Sequence, residues 1–197
     1  MDIQKNEKVL AMYRAVWELI DEGYTVSNMK VADITGRAGI GKGTAYEYFR
    51  SKEEIVSEAL KYDYFLQYQS LSNRLEEQKS FRGALETCFN WLSETMDRRR
   101  FAAQFFKEPH EKKKAENEDC EDNDSCRNAL YLIRLIISLG IKDGSIRPEV
   151  TEEMAMVQIV SQLFGYFLYQ EHNLKRKMKD LDEMKQFLCD NIEKSLR

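Results

Sequence analysis

Between residues 27 and 52 the chain sets five basic side chains, Lys30, Arg37, Lys42, Arg50 and Lys52, against two acidic ones, Asp33 and Glu47. The 197-residue chain as a whole carries a formal net charge of -4, so this cationic stretch is a local feature. Interleaved with it are the hydroxyls of Thr44, Tyr46 and Tyr48 and the side-chain-free Gly43. Ammonium groups and hydroxyls donate hydrogen bonds to phosphate oxygens, a threonine methyl can meet thymine, and a glycine lets backbone approach a ligand closely. The chemistry this pattern suits is recognition of a phosphate backbone and of base edges. The acidic total excludes a protein that coats nucleic acid over its whole surface, but phosphate attraction depends on where charges sit.

The elements that must position these residues are helical. Val9, Tyr13, Val16, Trp17 and Ile20 recur at the spacing of one helix face, and Gly23 ends that helix. Short helices follow over 31–38 and 42–49, separated by Gly39-Ile40-Gly41. Two short helices about a tight glycine-containing turn make a helix-turn-helix, the unit whose second helix enters a DNA major groove. Val31, Ile34, Ala38, Ile40, Ala45 and Phe49 have the spacing to share a core with the first stripe. Lys42 with Tyr46, and Gly43 with Glu47, then occupy other faces and are available to a ligand. Ser51-Lys52-Glu53-Glu54 reads as a capping box opening a helix from Lys52 into the mid-seventies. Lys42 and Lys52 bring positive charge to helix starts, where backbone donors already favour anions.

This stretch resembles the DNA-binding signature of the TetR (tetracycline-repressor) family, I-A-x-x-A-G-V-S-x-G-x-x-Y-x-Y-F-x-x-K. The matching residues are Ile34, Ala38, Gly39, Ile40, Gly43, Tyr46, Tyr48, Phe49 and Lys52. Thr35 replaces the usual alanine, Gly36 weakens the first helix, and Gly41 stands where serine often caps the second. Glycine there costs a few tenths of a kcal/mol relative to serine. Lys30 occupies a position where a hydroxyl residue is common, which makes that phosphate contact ionic. The resemblance implies a helical homodimer whose C-terminal domain binds an inducer. It also implies that Lys42, Gly43, Thr44, Tyr46 and Tyr48 face DNA and that Lys52 holds a phosphate. The expected DNA-binding set is these six with Lys30 and Glu47.

The predicted fold class is all-α, with no period-two alternation and hence no sheet. A three-helix DNA-binding domain over 1–52 precedes a helical-bundle ligand-binding and dimerisation domain over 53–197. Further helices are expected over 81–98, 101–107, 126–142, 151–171 and 179–196. In the first of these Phe81, Leu85, Cys88, Phe89, Leu92 and Met96 fill one face while Ala84 and Trp91 add another, as in a helix surrounded by others. An apolar pocket for a small apolar or aromatic inducer is expected among Tyr62, Phe65, Cys88, Phe89, Leu92, Phe105, Tyr131 and Phe164, with plain core packing as the competing account of the same residues. Helix 151–171 is apolar nearly all round, with a small-residue notch at Ser161 and Gly165. Pairing of the last two helices with their copies in a four-helix bundle is expected through Val157, Ser161, Phe164, Gly165, Leu168, Leu181, Met184 and Leu188.

Cys120 and Cys126 lie in a charge-rich run over 108–128, with His110 nearby in sequence. Their spacing matches no zinc pattern, and neighbouring carboxylates disfavour a reactive thiolate. A solvated loop is expected there, with a thiol- or metal-responsive regulator as the alternative. The two histidines, His110 and His172, sit in polar settings, and no nucleophile elbow, phosphate loop or metal quartet is present. Neither an enzyme nor a cofactor is expected. The first residues lack a signal-peptide pattern and no apolar run is long enough to span a bilayer, so a cytoplasmic location is expected. The resulting expectation is a transcriptional regulator: a ligand-relieved repressor that binds a palindromic double-stranded operator as a homodimer. A helical interaction module that has lost DNA binding is the alternative.

Overall fold

The computed structural model describes residues 7–96, 98, 124–176 and 181–197. Eight helices occur among them: α1 Glu7–Asp21, α2 Val31–Arg37, α3 Lys42–Tyr48, α4 Lys52–Glu76, α5 Phe81–Glu94, α6 Asp124–Asp143, α7 Glu152–Arg176 and α8 Leu181–Leu196. No strand occurs among the described residues, in agreement with the all-α expectation. The helix expected over 101–107 lies outside them, as do Phe105, His110 and Cys120. Chain contacts divide the protein into two compact units, residues 1–67 and 68–197. Packing thus adds the first turns of α4, where Ile55, Val56, Ala59 and Leu60 are buried, to the helices before it.

In the first unit α1 buries Val9, Met12, Tyr13, Ala15, Val16, Trp17 and Leu19, leaving Ile20 half-buried. Against this face lie Ile34 of α2, Ala45 and Phe49 at the inner side of α3, and Met29 from the connection between α1 and α2. Tyr13 is the aromatic pivot, its ring 6.1 Å from Phe49 and 5.5 Å from Tyr62 of α4. Burial, with the nearby Glu58 carboxylate, pushes its phenol up to about 12. The turn between α2 and α3 is a Schellman closure. Gly39 adopts φ +68, and the N–H groups of Gly39 and Ile40 donate to Gly36 and Thr35. A side chain at that left-handed position would be strained, which accounts for the glycine. Thr35 is buried where the resembling signature has alanine, and its hydroxyl is satisfied by donating to the Ala32 carbonyl at 3.4 Å.

The second unit is built around α5, which packs against α6, α7 and α8. Its core joins Phe81, Leu85, Phe89, Ile136, Ile159, Tyr166 and Ile192, as the two-faced pattern of α5 predicts. Ser80 caps α5 by accepting from the Gly83 N–H at 3.1 Å, and the Asp143 carboxylate accepts from the Phe81 N–H at 2.7 Å. Burial opposes the charge on Asp143, but this bond and those from Ser145 outweigh it and hold the carboxyl below its usual range. Gly140 is required by close approach: a Cβ there would stand 2.7 Å from Ile146 and 2.9 Å from the Phe81 ring. Arg82 ties α5 to α8 by pairing with Asp190 and Glu193 while also meeting Glu86 on its own helix.

Candidate nucleic-acid interface

Lys30, the residue just before α2, is exposed, and its N–H donates to the Asp33 carboxylate at 2.8 Å, which closes the start of that helix. On α3 one side is committed to the core through Ala45 and Phe49. Successive helical residues are about 100° apart, so the remaining positions fall on three stripes. Lys42 and Tyr46 form one flank, Thr44 and Tyr48 the other, and Gly43 with Glu47 lie opposite the buried face. The exposures agree: Tyr46 is 58% and Tyr48 39% exposed. Lys42, Gly43 and Glu47 are exposed and Thr44 is half-buried. A Cβ built at Gly43 meets nothing within 4 Å, so the protein's own packing does not demand a glycine there.

The five basic residues do not contribute equally. Arg37 is engaged by Glu18 of α1 at 3.5 Å and by Glu22, just past the end of α1, at 2.7 Å, and the latter bond holds Glu22 below the usual carboxylate range. Lys52 is half-buried, its ammonium donating to the Val26 carbonyl at 2.7 Å and lying 3.6 Å from Glu53. Burial works against the charge on Glu53. Its own backbone N–H, the Lys52 ammonium and the Ser51 hydroxyl outweigh that and lower its pKa. The residue that resemblance links to a phosphate thus also pins the start of α4 to the α1–α2 connection. Of the predicted capping box, the Ser51 hydroxyl accepts from the Glu54 N–H at 3.1 Å. The Glu54 carboxylate reaches one residue further back, to the Arg50 N–H at 2.6 Å. The side chains of Lys30, Lys42 and Arg50 make no ion pair among the described residues and supply the available positive charge.

A family model described as "Bacterial regulatory proteins, tetR family" matches residues 15–59, the segment that carries this helix-turn-helix. Over these residues the chain is similar to the DNA-binding segment of tetR-family regulators, with α3 in the recognition-helix position. No curated protein sequence matches the chain. Solved structures of the same fold include a TetR/AcrR-family transcriptional regulator from Thermobifida fusca, 15% identical with a TM-score of 0.70 over 98% of this chain and 100% of that one. The regulator FadR from Bacillus subtilis in complex with stearoyl-CoA is 17% identical, with a TM-score of 0.65 over 95% of this chain and 99% of that one. SmeT, the repressor of the Stenotrophomonas maltophilia multidrug efflux pump SmeDEF, is 15% identical, with a TM-score of 0.62 over 98% and 90% of the two chains.

The residues expected to line a pocket fall in both units. Tyr62 and Phe65 belong to the first unit. Cys88, Phe89 and Leu92 are in the core of the second, and Tyr131 and Phe164 are exposed on α6 and α7. Sequence reasoning missed a polar cluster inside that core. The hydroxyls of Ser93 and Tyr166 are 2.7 Å apart, and the Gln170 amide donates to Ser93 at 3.1 Å and to Tyr166 at 3.4 Å. Tyr166 is wholly buried, edge-on to Phe89 at 5.2 Å. No local pattern marks side chains brought together from positions this far apart in sequence.

Of the residues expected between protomers, Val157, Ser161, Phe164, Gly165 and Leu168 are all exposed on α7, with Met154 and Val160 beside them. Leu181 is exposed at the start of α8, and Met184 is half-buried against the protomer's own core. Leu188 is in that core at 8% exposure, because Cys189, Ile192 and Leu196 set the inner face of α8. Phe187, at 58%, is the apolar side chain presented outward there. Among the described residues no group of three metal-ligating side chains clusters, and no helix is long and apolar enough to cross a membrane.

Proposed function

We propose that this protein is a tetR-family regulator, a homodimeric repressor whose grip on a palindromic operator is relieved by a small apolar or aromatic ligand. The observation that carries the reading is the division of α3. Ala45 and Phe49 lock it to the core, while Lys30, Lys42, Gly43, Thr44, Tyr46, Glu47 and Tyr48 are left toward the outside as the DNA-binding set. Lys52 joins them as the residue that fixes the start of α4 and offers its remaining ammonium hydrogens to a phosphate. The domain assignment proposed is a DNA-binding head over 1–52 and a ligand-binding, dimerising remainder over 53–197.

Support for the dimer is the exposed apolar face of α7. Val157 is 68% and Phe164 59% exposed, more than a solitary protomer normally leaves in one contiguous patch. A two-fold axis through that face repeats the recognition helix once per half-site, from which palindromy follows. Support for a ligand comes from the relatives, one holding stearoyl-CoA and another triclosan. In this chain the Ser93–Tyr166–Gln170 cluster would anchor the polar end of such a molecule inside an apolar core. Differential affinity for two states of α4, a single helix that runs through both units, would then shift the population that binds DNA.

The experiment is a footprint and an anisotropy titration of the purified protein on the DNA flanking its own gene, repeated across salt concentration. Protection of an inverted repeat is expected. So is a log-log salt slope of about -0.9 per phosphate contact. Binding indifferent to salt, or none at low ionic strength, refutes the reading.

A further inference from the structure

Glu47 is the single acidic residue of α3, on the helix that must enter a groove walled by phosphates. Its carboxylate makes no hydrogen bond or ion pair among the described residues, so none of them explains it. Two observations say where it faces. Glu47 and Gly43 lie about 200° and 160° around α3 from the buried Ala45, on the outermost stripe. And Gly43, one turn before Glu47, has open space where its side chain would be, which lets this stripe descend closest to a partner surface. The flanks on either side carry the phosphate-compatible groups, Lys42 and Tyr46 on one and Thr44 and Tyr48 on the other. When such a helix lies in a major groove, its flanks meet the phosphate ridges and its outermost stripe meets the base edges.

We infer that Glu47 is a specificity-determining residue that reads a cytosine in each half-site, its carboxylate accepting the N4 amino hydrogen. The inference rests on the DNA-binding reading above. Guanine presents two acceptors and thymine one, all repelling a carboxylate. Adenine pairs its N6 donor with the adjacent N7 acceptor, whereas cytosine presents a donor with no acceptor beside it on the same base. A carboxylate taken into the groove without such a donor loses its water and repels the bases and phosphates around it. Glu47 therefore acts chiefly against wrong sequences.

The test selects bound sequences from a randomised duplex pool with the full-length protein and with E47A and E47Q, all checked for equal melting temperature. The wild-type protein is expected to converge on a symmetric consensus with a cytosine at one position of each half-site. E47A is expected to lose that preference, by roughly tenfold in measured discrimination, while the other positions persist and non-specific affinity rises. E47Q is expected to move the preference toward adenine, which a carboxamide can bind through N6 and N7. A consensus without a half-site cytosine, or an E47A consensus identical to wild type with every affinity raised equally, overturns the inference alone. A wild-type protein that selects no sequence and binds no duplex at low salt overturns the DNA-binding reading with it.

Discussion

Truncating Phe164 to alanine tests the proposed two-fold contact in quantitative terms. The residue is 59% exposed on α7, stacked 6.3 Å from Phe167. Taking roughly 200 Å² as the accessible area of a phenylalanine, about 120 Å² remains to be covered by a partner. At about 25 cal/mol per Å² that is about 3 kcal/mol per protomer. Alanine would retain about a third of it, leaving a difference of about 2 kcal/mol. A two-fold interface repeats every contact, so Phe164→Ala is expected to weaken the dimer by about 4 kcal/mol, close to a thousandfold in dissociation constant. Such a difference between variants is better behaved than an absolute sum over the interface. Sedimentation equilibrium over a wide protein concentration range reads the constant directly. Tyr131 is an aromatic of similar exposure, 48%, on α6 and off the α7 face. Tyr131→Ala should therefore leave the constant within about twofold, since a surface substitution away from an interface is worth within about 0.5 kcal/mol. A wild-type monomer at high concentration, or equal effects of the two substitutions, refutes the argument from the α7 face.

Lys42→Ala is expected to lower duplex affinity for all sequences alike and to reduce the salt slope by about one, as anisotropy titrations at graded salt would show. Gly140→Ala should destabilise the second unit by about 1–3 kcal/mol even after alanine's gain in helix propensity, because its Cβ would overlap Ile146 and Phe81. Thermal unfolding measures it, and an unchanged midpoint would contradict the close packing of α6 on α5. Burial pushes the thiols of Cys88 and Cys189 up from 9.0 to about 12. Both should resist iodoacetamide at neutral pH until the protein unfolds, followed by mass spectrometry. The same shift carries a sign. The folded state keeps these protons while the unfolded chain releases them above about 9, so stability is full below that pH and declines as pH rises toward 12. A melting temperature unchanged over that interval would show the thiols to be solvated.

The helix-turn-helix was legible in the sequence because everything it needs is local. Ala45 and Phe49 one turn apart fix the inner side of α3, Gly39 marks the left-handed turn, and the other residues of α3 follow by helical angle. The exposed face of α7 was legible for a related reason: a helix apolar nearly all round has more surface than its own protomer can cover. Helical periodicity gives the angles between residues of one helix but not its absolute rotation toward neighbours. That rotation, set by packing, put Leu188 inside and Phe187 outside on α8. It also decided which charges remained available. Arg37 reads as one basic residue among five until Glu18 of α1 and Glu22 just past its end are found beside it, and Lys52 until its ammonium is found donating to the Val26 carbonyl. The Ser93–Tyr166–Gln170 cluster belongs wholly to tertiary structure. Its members come from helices brought together only when an apolar core closes around them, and in that low-dielectric interior each buried polar group must find another.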